Sequence, residues 1–325
     1  MNCPALRALV PHGRTSTADK RHQHNQMKIA PPLAAAFAVL MTASAMAAPT
    51  LPTVEVNAPP LKTTTGSTLA EEAMVGPYNQ PEWTQHRRFS TTRVYLQQEP
   101  WHVGIEQWWR VRQYDDGPEK HLFIEEIEIG LPYRLQLDLY YDWVHEDHET
   151  QTKDFAAEIR WALADWGVIP LNPTLYAEYK WTDEDYGSDV YEFKLLLGED
   201  FAPRVHWGLN LVYEAETDGE KAREYAVTQG ISYTIIDQIL SAGVEMQFKY
   251  ENVAGERDNG EHKFQVGPSL QWRPTARTHV DLVGLFGCTS DSPDFEGFVV
   301  LGFDFGKIGG GGEDHHYKPV SGLRN

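Results

Sequence analysis

The chain has 325 residues, two of them cysteine, and a formal net charge of −19. That charge argues against nucleic-acid binding, because phosphate contacts need clustered Lys and Arg and the basic residues gather only at the far N-terminus. With Cys3 in a segment expected to be removed and Cys288 left alone, a disulfide framework and a cysteine metal site are both excluded.

Residues 1–47 read as export information. Lys28 precedes the apolar stretch Ile29–Ala47, which ends in Ala45-Met46-Ala47 before Ala48-Pro49, the pattern of a cleaved signal peptide. Met27 stands directly before Lys28 and is the expected start, residues 1–26 being otherwise a long basic leader. Residues 48–100 are rich in Pro, Thr and Gly, with little periodicity before Thr92–Leu96. They are expected to be mainly irregular, lying in the periplasm or folding as a plug into the remainder of the chain. Thr53-Val54-Glu55-Val56 resembles the short box by which outer-membrane receptors couple to TonB. Such receptors carry a large plug and far more strands than this chain can supply, so TonB coupling is not expected.

From Trp101 the pattern changes. In Tyr133–Val144, Leu135, Leu137, Leu139, Tyr141 and Trp143 alternate with Gln136, Asp138, Tyr140 and Asp142. A period of two means a strand, and carboxylates in mid-strand opposite an apolar face suit a wall between lipid and water. About twelve such segments recur over residues 101–306, each near the roughly 9–11 residues that cross a membrane when tilted. The expected fold is therefore all-β, a transmembrane antiparallel up-and-down barrel. Two segments are less regular: His121–Gly130 alternates imperfectly and Thr278–Gly287 is apolar on both faces.

The connections alternate in character. Asp115–Glu119, Glu146–Thr150 and Asp183–Asp189 are acidic, whereas Leu131–Arg134, Phe201–Arg204 and Arg273–Arg277 carry Arg and Pro. An even barrel with both termini in the periplasm places the acidic set outside the cell. Trp101, Tyr133, Trp166, Phe201, Trp207 and Trp272 fall at one rim, and Trp109, Trp143, Trp181, Tyr213 and Tyr250 towards the other, as two interfacial belts require. Residues 307–325 read as a flexible hydrophilic tail.

The polar face supplies the candidate lumen residues Glu106, Arg110, Arg112, Glu128, Asp138, Asp142, Glu158, Arg160, Glu178, Lys180, Glu192, Lys194, Glu245 and Lys249, with Glu126, Glu214 and Glu296 beside them. Both signs are interleaved, with acid in excess. Cross-strand ion pairs would fill and stiffen a narrow barrel, and a charged pore wall would select solutes; the two readings are compatible. A lipid-modifying enzyme, the third reading, would need a Ser nucleophile with a His in reach near the lipid face, and the outward sets contain neither. His102 and His206 are expected to be solvated or hydrogen-bonded, and His145, His148, His315 and His316 have no ligand spacing specific to one metal. No catalytic residue, cofactor or metal is expected.

The turn-to-strand run Leu131-Pro-Tyr-Arg-Leu-Gln-Leu137 and the closing Glu296-Gly-Phe-Val-Val-Leu-Gly-Phe-Asp-Phe305 resemble outer-membrane barrels of the transporter group linked to phenol degradation, distant relatives of the long-chain fatty-acid channel. The resemblance covers residues 101–306 in pattern and transfers no site residue. It implies the outer membrane of a Gram-negative bacterium and contact with its lipid. It further implies insertion by the outer-membrane assembly machinery and passive uptake of small aromatic or apolar molecules. The alternative is a structural or surface-interaction barrel whose lumen is closed by its own ion pairs.

Overall fold

A computed structural model describes residues 65–114 and 117–307, which fall within one compact unit, Pro59–Asn325. The signal peptide, Thr53–Val56 and the tail from residue 308 lie outside the described residues.

Twelve strands close into one antiparallel barrel: β3 (His102–Gln113), β4 (Lys120–Leu131), β5 (Leu135–Glu146), β6 (Glu149–Ala162), β7 (Thr174–Thr182), β8 (Val190–Ala202), β9 (Val205–Glu216), β10 (Arg223–Ile236), β11 (Leu240–Asn252), β12 (Glu261–Thr275), β13 (Thr278–Gly287) and β14 (Phe295–Lys307). Each pairs with its sequence neighbours, and β14 closes on β3 through pairs such as Val299 with Trp109. Closure leaves no unpaired edge, which is what allows strands to stand in lipid. The outward face is apolar, with Ile127, Phe155, Ile159, Leu175, Phe193, Leu211, Ile231 and Leu282 exposed around the wall. An exposed apolar band of this extent marks a surface made for an apolar environment.

Two local features depart from expectation. The acidic stretch Glu146–Thr150 is no loop: β5 runs through Glu146 and β6 begins at Glu149, leaving only Asp147 and His148, both at positive φ (51° and 66°). That is the backbone a two-residue hairpin needs to match strand twist. Trp166, assigned to a rim, is instead buried, with its ring edge-on to Trp83 and Tyr95 at 5.9 and 5.3 Å.

Residues 69–98 account for that burial, because most of their side chains are packed inside the barrel. The segment has little regular structure: a two-residue ladder of β1 (Met74–Val75) with β2 (Gln80–Pro81), and 3-10 turns at Ala70–Glu72 and Glu82–Gln85. Trp83, Phe89, Tyr95 and Leu96 form a core with Ala162 and Trp166. An irregular backbone can be buried only if its amides find acceptors, and the wall provides them. Glu245 accepts from Ser90 N and Thr91 N at 3.1 and 2.7 Å, Asn210 Oδ1 from Arg93 N at 2.8 Å, and Gln136 Oε1 from Gln97 N and Gln98 N at 2.7 and 3.0 Å.

The wall is also shaped for the segment. Gly198 pairs with Gly208 and Gly208 with Gly230, so three neighbouring strands present a row with no side chains. Val94 and Phe89 occupy that row: an added Cβ would fall 2.4 Å from Val94 at Gly198, 2.6 Å from Val94 at Gly208 and 2.4 Å from Phe89 at Gly230.

Candidate functional site

All fourteen candidate lumen residues stand on the inward face, because strand pleat and register keep each set on one side. The N-terminal segment divides them into two groups.

Glu106, Glu128, Asp138, Glu158, Arg160 and Glu245 lie in the turn-side half and are fully enclosed with the segment. Arg87 is the hub: its Nε lies 2.6 Å from Glu106 Oε2, and its Nη2 lies 3.1 Å from Glu126 Oε2 and 3.4 Å from Glu128 Oε1. The same guanidinium stands over the Trp108 ring, 4.3 Å from its centroid. These three carboxylates approach closely enough to hold a metal ion, but the Arg87 charge sits among them. Arg160 pairs with Asp138 at 2.6 Å and with Glu158, and donates to Gln97 Oε1 at 2.7 Å. His279 bridges Asp281 at 2.6 Å and Glu106 at 3.4 Å. Towards the turns, His206 stacks on Trp83 at 4.6 Å and contacts Glu72 at 3.2 Å.

Arg110, Arg112, Asp142, Glu178, Lys180, Glu192, Lys194 and Lys249 line a cavity of about 430 Å³ in the other half of the lumen. Ser90, Thr91 and Arg93 of the segment form part of its lining, and Lys120, Tyr186 and Glu251 carry it to the loop end of the strands. Lys180 lies 2.7 Å from Glu214 and 3.6 Å from Glu192; Lys194 lies 3.1 Å from Glu192, Lys249 3.0 Å from Glu224, and Arg93 2.8 Å from Glu126. Eight basic residues face seven acidic ones in this lining. The acid excess expected of the lumen is therefore not a property of its open part. It lies lower down, where Arg87 enters from the segment and meets Glu106, Glu126 and Glu128.

Among the groups outside the spanning strands whose titration is displaced are His86 and Asp237. His86, half-buried beside Arg273, has its imidazole pushed down to about 4, by desolvation first and the arginine second, although Asp304 lies 3.4 Å away. Asp237, in the turn between β10 and β11, is raised by burial even though it accepts from Ala70 N at 2.8 Å and Glu71 N at 3.1 Å.

Sequence reasoning missed Arg87, Arg93, His279 and the inward apolar residues Trp108, Leu122, Ile124 and Phe298. Leu122 and Ile124 face the cavity while Phe123 and Ile127 face outward, so residues 121–130 carry apolar side chains on both faces and blur the alternation. In β13, Val283 and Leu285 turn inward against Trp108 and Phe298, which explains the apolar character of both faces there.

No protein-family model matches the chain, and no curated protein matches it. Among solved structures it is similar to an outer membrane channel from Pseudomonas putida F1, at 11% identity and a TM-score of 0.50, over 65% of this chain and 98% of that one. It is also similar to the NanC porin, at 10% identity and a TM-score of 0.44, over 62% of this chain and 97% of that one. The likeness to the Pseudomonas putida channel is one of fold, a closed antiparallel barrel of the outer-membrane kind.

Proposed function

We propose that this chain is a channel of the Gram-negative outer membrane that passes small solutes, with residues 69–98 as its internal plug. The observation that carries the reading is the charged cavity of about 430 Å³ at the loop end, part of whose lining is the segment itself. A barrel that served only as a scaffold would need no water-filled space lined by opposed charges. The apolar outer band would meet lipid, and the acidic loops would face the medium. Passage through the lumen then requires the segment to shift or leave.

The closed structural barrel is the second reading. It is favoured by the density of buried pairing around Arg87 and Arg160. Planar-bilayer recordings separate the two. The full chain is expected to show brief or low conductance that rises when Phe89→Ala loosens the segment. A barrel that inserts yet never conducts, in either form, would establish the closed reading instead.

A further inference from the structure

The cavity wall formed by β3, β4 and β14 differs from the rest of the lining. Elsewhere the cations are interlocked with carboxylates that also reach the cavity, as Lys180 is with Glu214 and Lys249 with Glu224. Among the described residues, Arg110 and Arg112 pair with one carboxylate between them: both donate through Nε to the same oxygen, Glu296 Oε1, at 2.5 and 2.6 Å. The other oxygen of Glu296 accepts from Gln247 Nε2 at 2.5 Å, so the carboxylate is fully engaged. Its side chain is 1% exposed, whereas those of Arg110 and Arg112 are 20% and 32% exposed. The anion thus lies beneath and the two cations reach into the cavity, with the Nη edges of both guanidinium groups unused on Glu296.

The surroundings of this pair are apolar. Phe298 is the cross-strand partner of Arg110, and the arginine's guanidinium carbon lies 5.3 Å from the Phe298 ring centroid. Leu122 is the partner of Arg110 on the other side, and Ile124 is the partner of Trp108. All four apolar residues line the cavity and stand on the inner face, where a water-filled pore would ordinarily carry polar groups. Planar guanidinium forks recognise carboxylates, and an apolar shelf beside them accepts a ring. The cavity volume falls in the roughly 300–1,000 Å³ range of small-molecule sites.

We propose that this wall is a binding site for a small aromatic carboxylate, its anionic group on Arg110 and Arg112 and its ring on the half-buried Leu122 and Ile124, which are backed by the buried Trp108 and Phe298. The proposal deepens the channel reading and rests on it for its transport meaning, but binding is measurable without conduction. The test is titration of the full folded chain in detergent with benzoate, benzamide and acetate, followed by calorimetry and by the fluorescence of Trp108 and its neighbours. Benzoate is expected to bind saturably and at least tenfold more tightly than uncharged benzamide or ringless acetate, with affinity falling as salt is raised. Arg112→Gln, the milder change at the more exposed position, should weaken benzoate at least threefold, and the double Arg110→Gln/Arg112→Gln variant at least tenfold, with barrel circular dichroism unchanged. Equal affinity for benzoate and benzamide, no saturable benzoate binding, or full affinity in Arg112→Gln would each overturn the site. Saturable binding in a barrel that never conducts would keep the site and overturn the channel reading, so the two fail separately.

Discussion

Phe89 of the N-terminal segment packs its ring against Gly230 in β10, so closely that a Cβ on that glycine would come within 2.4 Å of Phe89 Cδ1. The contact removes no polar group and makes no ion pair; it is pure shape. Phe89→Ala should weaken docking of the segment by about 3 to 5 kcal/mol, the usual cost of truncating a buried ring. Gly230→Val overfills the same place from the wall side and should act in the same direction. Hydrogen exchange of residues 83–98 is the readout: both variants should exchange faster there while the strands stay protected. Unchanged exchange in both would refute the seat as a determinant of docking.

Arg87 makes a different kind of contact. Its side chain is 1% exposed, and those of Glu106, Glu126 and Glu128 are no more than 3% exposed, so removing the cation leaves an enclosed cluster of three carboxylates with only His279, at Glu106, and Arg93, at Glu126, to balance it. Breaking a buried pair in this way typically costs about 3 to 5 kcal/mol. Arg87→Met should therefore undock the segment at neutral pH, seen as faster exchange over residues 83–98, and partly restore docking in acid, where the carboxylates can take up protons. Segment protection equal to the parent chain at neutral pH would show that the hub is dispensable.

The barrel was legible in the sequence because one side-chain period of two writes both faces of every strand, as in Leu135 to Trp143. The segment could be read only as either a periplasmic stretch or a plug, because its order comes from residues far away in the chain. Thr91 is held by Glu245 and Gln98 by Asp304, and an irregular backbone leaves no period to read. The one local signal was the pair Arg87-Arg88 within an acidic chain. The cavity was half legible: its charges followed from the alternation, but Leu122 and Ile124 showed only as imperfect alternation in His121–Gly130, and Phe298 drew no notice, because the inner face holds an apolar patch. Gln136 shows the same limit. Its place on the polar face was evident, yet it is fully buried as an acceptor for the segment rather than solvated.

The assignment of faces has a direct test. Leu139 faces outward in β5, whereas Val212 of β9 lines the cavity. Leu139→Arg should cost about 2 to 4 kcal/mol near the bilayer midplane, and Val212→Arg far less, because its guanidinium can enter water. Folding titrations into liposomes give both numbers, and equal costs would mean the wall does not stand in lipid as proposed.

Orientation is tested in cells. A protease-sensitive tag at Gly187, between β7 and β8, should be cut in intact cells, whereas one at Pro203, between β8 and β9, should be cut only after the outer membrane is breached. The reverse pattern would turn the cavity towards the periplasm and make the segment an outer rather than an inner stopper.

Acid should loosen the segment through His86. Docked, its imidazole is held down to about 4 by burial and by Arg273; released, it returns towards its ordinary value near 6.5. The released state therefore binds more protons between these values. Docking keeps this contribution in full above about pH 6.5 and loses it as pH falls towards 4, with a slope of at most about 1.4 kcal/mol per pH unit. Asp304, at 3.4 Å, opposes the loss by favouring the imidazolium, while Arg273 and the nearby His279 reinforce it. Exchange over residues 83–98 should thus accelerate from pH 7 to pH 5 once corrected for the intrinsic pH dependence of amide exchange, and His86→Gln should remove that part of the acceleration. If His86→Gln retains the full pH dependence, the carboxylates around Arg87 govern acid release and His86 is only a packed neighbour.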